Sequence, residues 1–506
     1  ASSQQKTLPS SPEPIYRTSR SRSTSHFAPA ENDSSIFRRF WFSEEDGGGN
    51  GEHFSSEKAV KMLLRTYCAY FKNPDDPQDR TFKPDPSRYP TVELQYPNTD
   101  SSEIFILLAP KDKDHYNPIY DVEKTLYTIV EHYLTPIQQA QFGPIPSTDT
   151  IADSDDDGPI ISSSPSPRRT HTSSGSESSL TDIELLFKPK PKPKQPSHAP
   201  QNTNLLRAVQ RAIHLRDGPA FLKAMDKIND ILKKLKYPAL PDDSFAKTDP
   251  NVLKQMVHSW TDTGMPKAVL MRIIEENYQR NVGPHVQKLK QYEAFSSAVY
   301  GELMPSLVYE ILQLTKLKED SLFLDLGSGV GNVVVQASLQ TGCRSYGIEL
   351  NPTPAKVARD MVSNFKFRCR MWGVRVGDIE LEEGDMLQSP RVNELISQAD
   401  VVLVDNKVFE QSLNEQLRPK FLDLKEGAYV ISLAPFVPSL NARVTERNVD
   451  DISAIFDVTE RPYRSGAVSW GNSGGTYYIH RVDRAGYAQI RERFESSRGG
   501  RSTRRR

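Results

Sequence analysis

The sequence predicts an α/β fold built on a doubly wound, mostly parallel seven-stranded sheet, and three observations carry that prediction. Strand-like and helix-like patterns alternate through residues 286–485, as expected of parallel strands joined by crossover helices. The apolar run Phe323-Leu324-Asp325-Leu326 leads into Gly327-Ser328-Gly329-Val330-Gly331-Asn332 and then Val333-Val334-Val335-Gln336-Ala337. That reads as strand, tight turn and helix start, with glycines that let backbone approach a ligand closely. Glu349 closes a second apolar run, Tyr346-Gly347-Ile348, and an acid ending the second strand suits the two hydroxyls of a ribose.

The elements follow in order. Residues 1–35 are rich in Ser, Pro and Arg and read as a disordered basic tail. In residues 36–145, Val60, Leu63, Leu64, Tyr67, Cys68 and Phe71 recur at helical spacing. Val92, Leu94 and Tyr96 alternate like a half-buried strand, and Ile104 to Leu108 reads as a buried one. Val122, Leu126, Ile129, Val130 and Tyr133 predict another amphipathic helix, stopped before Pro136. Together they make a small α/β module with no assignable role.

Residues 146–200 read as a disordered linker. It holds the acids Asp153, Asp155, Asp156 and Asp157, Ser-Pro repeats, and alternating Lys and Pro over 188–194. Such a Lys-Pro run favours extended polyproline geometry. It suits a stiff basic spacer, a nuclear address or a phosphate-contacting arm, of which the spacer asks least. Residues 202–285 carry apolar stripes (Leu205, Val209, Ile213; then Phe221, Leu222, Met225, Ile228, Leu232, Leu235) and Pro266 ahead of Val269, Leu270, Ile273 and Ile274. They predict a helical subdomain packed on the next domain. Within the core, 286–485, the expected strands are 321–326, 344–348, 378–382, 400–404 and 428–433, with a late antiparallel edge pair near 454–460 and 475–482. The expected helices are 331–341, 353–367 and 411–423. Residues 486–506 form a basic C-terminal tail.

Composition bounds the function. At 506 residues two or three domains are expected, and the 37% apolar share and mean hydropathy of −0.58 imply that part of the chain is disordered. The net charge is −1, but Arg17, Arg20 and Arg22 sit near the start and Arg498, Arg501, Arg504, Arg505 and Arg506 crowd the end. These tails read either as solvated disorder or as docking arms for nucleic-acid phosphates. Three scattered cysteines, Cys68, Cys343 and Cys369, exclude a disulfide framework or a Cys-rich zinc site, and the histidines lack metal-ligand spacing. No run reaches the roughly eighteen apolar residues of a membrane span, and the start has no apolar signal core. A soluble intracellular protein is expected.

The glycine spacing narrows the cofactor. A dinucleotide fingerprint needs a third glycine where Asn332 stands, and no Gly-Lys-Ser/Thr of a phosphate loop follows. S-adenosyl-L-methionine has a ribose, a carboxylate and a sulfonium but no phosphate, and it suits a glycine turn without a lysine. The strand pattern, too, fits a nucleoside-dependent methyltransferase better than a dehydrogenase. Three further segments matter: Tyr292 to Leu303, Gly384-Asp385-Met386-Leu387, and Val402-Leu403-Val404-Asp405-Asn406-Lys407-Val408-Phe409. An acid after the third strand sits where an adenine amino group is contacted, or merely caps a helix. The fourth strand's carboxyl end is where substrate binds in open sheets.

As a set these segments resemble the disruptor-of-telomeric-silencing family, the histone-H3 lysine-79 methyltransferases that lack a SET domain. The matching stretches are Phe295-Ser296-x-x-Val299-Tyr300-Gly301-Glu302, Asp325 to Gly331, Gly384-Asp385, Phe409, Lys425-Glu426-Gly427, Pro435-Phe436, Val468-Ser469-Trp470 and Tyr477-Tyr478-x-His480. The resemblance covers roughly 205–485, with a fungal-type arrangement of long disordered front and C-terminal catalytic domain. It implies a class I S-adenosylmethionine-dependent methyltransferase fold, and histone methylation in chromatin silencing in the nucleus. Tyr300, Gly301, Glu302 and Leu303 would wrap the methionine end of the cofactor. Phe323, Leu324, Asp325, Leu326, Gly327, Ser328, Gly329, Val330, Gly331 and Asn332 would form the glycine turn, with Asp325 near the amino group. Glu349 would bind the ribose, and Asp385 and Met386 the adenine. Phe409, Trp470 and Tyr477 would line an apolar channel for a lysine side chain.

Asp405 departs from the resemblance, which implies an Asn pair where this chain has Asp405-Asn406, and an aromatic where it has Lys407. An acid facing the incoming ammonium would hold it by charge yet favour its unreactive protonated form. Asp405 either accepts the departing proton or turns away from the channel; the sequence favours a positioning role. The implied substrate lysine lies on the nucleosome face, which gives the Lys-Pro linker and Arg-rich tail a role on DNA phosphates, with ubiquitinated histone as a further partner and a monomeric enzyme. Two rivals remain. A base-flipping nucleic-acid methyltransferase needs an acid-Pro-Pro-aromatic loop, and no proline stands at 405–408. A silent nucleosome-binding scaffold would keep the fold without turnover.

Overall fold

The computed structural model describes residues 38–43, 54–85, 88–113, 115–146, 204–238, 251–289, 301–437 and 452–502. The expectations for the tail 1–35, the linker and the motif from Tyr292 to Tyr300 lie outside the described residues. From Arg38 onward the chain forms one compact unit.

Seven strands make the central sheet: β1 (Leu322–Leu326), β2 (Arg344–Glu349), β3 (Ile379–Glu383), β4 (Val401–Val404), β5 (Tyr429–Ser432), β6 (Phe456–Tyr463) and β7 (Gly475–Val482). Their spatial order is β6-β7-β5-β4-β1-β2-β3. β1 to β5 run parallel, while β7 is antiparallel to both β5 and β6. The order reverses between β1 and β4, so a crevice opens at their carboxyl ends. Leu322, Leu324 and Leu326 pack on one face with Val402, Val404 and Val430, against Val392, Leu395 and Phe421. Phe323 packs on the other with Leu403 and Ile431, against Leu307 and Ile311. The two-residue period thus sorts β1 between two cores and puts Asp325 on the Phe323 side, at the crevice.

Expected and observed elements agree closely along the sheet, and the departures have local causes. The helix expected over 411–423 is α-helical only over Gln411–Leu417 and continues as a 3₁₀ turn, Arg418–Asp423; Pro419 has no N–H for the α ladder. Helix Pro390–Ile396, capped by the Ser389 hydroxyl, was not expected. Upstream, the helix expected through Phe71 covers only Ser56–Met62, because Tyr67–Ala69 pairs as a strand with Leu108–Pro110. That second strand is the tail of the run expected as one strand, which breaks after Ile106. At the far end, Arg484–Ser502 is helical.

The upstream segments share one apolar core with the helical region and with the outer faces of the sheet helices. Leu94, Phe105, Leu126 and Tyr133 join Phe221, Ile228, Val269 and Ile273, and these meet Val335, Leu339, Phe365 and Trp372. A buried ion cluster runs through the same place. Arg280 bonds Glu103 (3.1 Å) and Asp121 (2.7 Å), Arg368 bonds Glu103 (2.6 Å), and Arg272 bonds Asp121 and Glu276. Three carboxylates therefore face three guanidiniums, which meets the requirement that buried charge be paired.

Candidate active site

The cleft at the carboxyl ends of β1 and β4 holds about 370 Å³ of empty space and is lined by Gly301, Glu302, Leu303, Asp325, Gly327, Ser328, Gly329, Val330, Asn332, Val333, Leu403 and Asp405. Gly327, Gly329 and Gly331 all have positive φ (98°, 56° and 81°), a path ordinary side chains resist. Gly331 caps helix Asn332–Thr341, whose first N–H groups have no intrahelical partner. The turn is pinned from β2: Gly327 and Ser328 N–H donate to the Ile348 carbonyl (2.9 Å each), and Gly329 N–H donates to Glu349 Oε2 (2.9 Å).

The opposite wall is the strap Gly301 to Met304. It pairs antiparallel with 467–469: Met304 N–H donates to Ala467 O (2.9 Å), Ser469 N–H to Glu302 O (2.9 Å), and Glu302 N–H to the Ser469 hydroxyl (2.9 Å). Trp470 follows at once, 40% exposed. Its ring lies so close over Gly301 that a Cβ there would stand 2.5 Å from Cε3.

The electrostatics are one-sided. Glu302, Asp325 and Asp405 face the cleft, and among the described residues no Lys, Arg or His lines it. Asp325 is buried, and burial together with Asp405 and Glu349 pushes its carboxyl well above the usual range. Burial also raises Glu349, against the Asn351 and Gly329 N–H groups that favour its charge. Asp405 is pushed up by burial to about 7, held there against the Lys407 N–H and ammonium. Such a cleft fits a cationic ligand with hydroxyls and repels a phosphate. An amino group and a sulfonium match Asp325 and its neighbours, and a ribose matches Glu349 beside the turn.

The structure sorts the expected residues. Gly301, Glu302, Leu303, Asp325, Gly327, Ser328, Gly329, Val330, Asn332 and Asp405 line the cleft together; Tyr300 lies outside the described residues. Phe323, Leu324 and Leu326 are core residues that carry Asp325 instead of lining the cleft themselves. Gly331 faces Leu381 and Met361. Met386 and Phe409 flank Gly327, where a Cβ would meet them at 3.9 and 3.6 Å, so Phe409 stands beside the glycine turn. One Asp385 oxygen accepts from Leu387 N–H (2.8 Å), which is turn capping. Tyr477 is fully buried beneath Leu303 and Leu403, with its hydroxyl 3.4 Å from Glu310. It supports the cleft floor and is not a wall residue.

Asp405 lines the cleft beside Asp325. The reason is its neighbour. Buried Asn406 accepts from Leu433 and Ala434 N–H (3.0 and 2.8 Å) and donates to Ala434 O and Asn414 Oδ1 (3.0 and 2.9 Å), stitching the end of β4 to the end of β5. Sequence reasoning missed this stitch, the lining residues Val333 and Leu403, and the Ser469 contact. An Asn beside an acid at a strand's carboxyl end was the available signal for the first.

Strand order, glycine turn and acidic cleft define a class I S-adenosylmethionine-dependent methyltransferase fold. The profile of the family described as histone methylation protein DOT1 matches residues 278–482. The chain is 35% identical to the histone-lysine N-methyltransferase, H3 lysine-79 specific, of Cryptococcus neoformans var. neoformans, over 91% of this chain and 69% of that one. It is 32% identical to the protein of that name from Mycosarcoma maydis, over 85% and 62%, and 40% identical to that from Yarrowia lipolytica, over 44% and 45%. The chain thus spans 62% and 69% of the length of the first two relatives. Among solved structures, an RNA methyltransferase from Salinibacter ruber with S-adenosyl-L-homocysteine overlaps 36% of this chain and 94% of its own, at 23% identity and TM-score 0.24. The chain belongs to the histone methylation protein DOT1 family.

Proposed function

We propose that the protein is a histone-lysine N-methyltransferase that uses S-adenosyl-L-methionine and modifies lysine 79 of histone H3 on nucleosomes, in the nucleus. The observation that carries the reading is the acidic cleft beside the glycine turn, with no lysine among its described lining residues. When bound, the cofactor supplies a methyl group activated by a sulfonium. Glu349 and the turn would hold its ribose, Asp325 its amino group, and Met386 and Phe409 would pack near Gly327. Trp470 over Gly301 offers an aromatic surface at the mouth for an aliphatic lysine stem. The transition state disperses charge, so positioning and exclusion of water supply most of the acceleration.

The names of the relatives support histone H3 as substrate. The basic tails and the Lys-Pro run support contacts to nucleosomal DNA phosphates, with steep salt dependence and no base readout. The test is transfer of labelled methyl from the cofactor to intact nucleosomes, free histone octamer and naked DNA, followed by mapping of the labelled site. Label on that lysine in nucleosomes is the expected result. Label on DNA, or none on nucleosomes, overturns the reading.

A further inference from the structure

Of the acids at the described cleft, Asp325 and Glu349 would hold the cofactor on the reading above, and Asp405 stands across from them at the end of β4. Asp325 and Glu349 sit on β1 and β2 beside the turn, and Glu302 belongs to the strap. Asp405 follows β4, at the substrate end of an open sheet, and the Asn406 stitch fixes its backbone so that the carboxyl stays inward. Asp325 faces it from β1, Glu302 lines the same cleft from the strap, Glu349 stands beyond Asp325, and Lys407 contributes its N–H and ammonium from the same turn.

We propose that Asp405 is the proton acceptor for the substrate amine, an inference that rests on the lysine-methylation reading above. Its carboxylate takes one proton from the incoming ammonium, leaving a carboxylic acid and a neutral amine with no net change of charge in the cleft. The amine lone pair then forms the new N–C bond as the C–S bond breaks and its electron pair returns to sulfur. The methylated ammonium departs, and Asp405 gives its proton to water. Burial favours this exchange from both sides, because it raises a carboxylic acid and lowers an ammonium toward a common value. An amide in the same place orients an amine and cannot take its proton.

That difference is measurable. Methyl transfer to intact nucleosomes at saturating cofactor is followed from pH 6 to 9 for the parent, Asp405→Asn and Asp405→Ala, with cofactor affinity by calorimetry as the check on folding. The parent rate is expected to rise about fivefold from pH 6 to 7 and to level by about pH 8. Asp405→Asn keeps its cofactor affinity, runs about 100-fold slower at pH 7, and climbs tenfold per unit across the whole range, because its amine is freed only by solvent. Asp405→Ala regains part of its rate with added formate. An Asp405→Asn profile that levels like the parent's overturns the proposal, as does an Asp405→Ala rate that formate does not move. A parent that transfers nothing removes the underlying reading first, and the proposal with it.

Discussion

The Tyr278 hydroxyl donates to Oε1 of Glu302 across 3.3 Å, and this bond ties the buried ion cluster to the cleft wall. Tyr278 sits on helix Lys267–Asn281 between Glu276 and Arg280, both members of that cluster, while Glu302 lines the cleft. Tyr278→Phe keeps the ring and removes only the hydroxyl. Losing one bond to a carboxylate costs about 1.5 kcal/mol, so the melting temperature should fall by a few degrees and the loosened strap should raise cofactor Kd several-fold. Titration calorimetry of the pair checks it, and equal affinities would show that the strap is set elsewhere.

Gly301→Ala should displace Trp470. The added methyl would stand 2.5 and 2.9 Å from two ring carbons, and the ring, already 40% exposed, has room to move only outward. The expected signs are a red-shifted tryptophan emission, absent in a Trp470→Phe background, and a raised KM for nucleosomes with cofactor KM little altered.

Asn406→Ala should weaken the fold itself. The Leu433 and Ala434 N–H groups both end on Asn406 Oδ1, and its residue position is 1% exposed. Leaving two buried donors unsatisfied costs about 2–4 kcal/mol, read as a lower urea midpoint at unchanged slope. The same variant frees the turn that holds Asp405, so residual methyl transfer should fall further than the unfolded fraction accounts for.

The sheet was legible because most of its parallel strands contain a short apolar run closed by a turn, and the strand-end acids Asp325 and Glu349 stand out against such runs. Tyr67–Ala69 was not legible as a strand, because helical spacing there is overridden by pairing with a segment about forty residues on. Nor were Gly301 with Trp470 or Tyr278 with Glu302, which meet only once the fold has formed. The ion cluster was hidden for a different reason. Arg272, Glu276 and Arg280 recur every four residues on one helix, a charged stripe that ordinarily marks a solvated face, yet all three are buried against acids and guanidiniums from other elements.

Arg280→Met should therefore be severe. It leaves Glu103, Asp121 and Glu276 short of a partner in a water-free place, and breaking such a buried set by removing one member costs about 3–5 kcal/mol. Adding Glu103→Leu to Arg280→Met should recover part of the loss, since two charges then leave together. A double variant no more stable than the single one would mean that Glu103 is held by Arg368 alone.

His480 gives the fold a pH dependence with a definite sign. It is buried in β7, its Nδ1 lies 3.1 Å from the Val430 carbonyl, and its Nε2 accepts from Phe436 N–H at 3.2 Å. The ring is thus held as the neutral Nδ1–H tautomer, since a proton on Nε2 would meet another donor. Burial lowers its pKa from 6.5 to about 4. Between those values the unfolded chain binds the proton and the native chain does not, so stability falls as pH drops through the window. The raised acids Asp325 and Asp405 act in the opposite direction, while the depressed Glu103 and Glu276 lose their contribution at lower pH still. The His480 part is isolated by comparing the parent with His480→Gln, in which those other groups are unchanged. Urea unfolding at pH 7.5, 6, 5 and 4.5 should show the parent losing stability relative to the variant at each step below 6.5, by about 1.4 kcal/mol per unit at most. A constant difference across that range would mean that His480 titrates alike in the native and unfolded chain, and that the Phe436 contact is not the hydrogen bond its geometry describes.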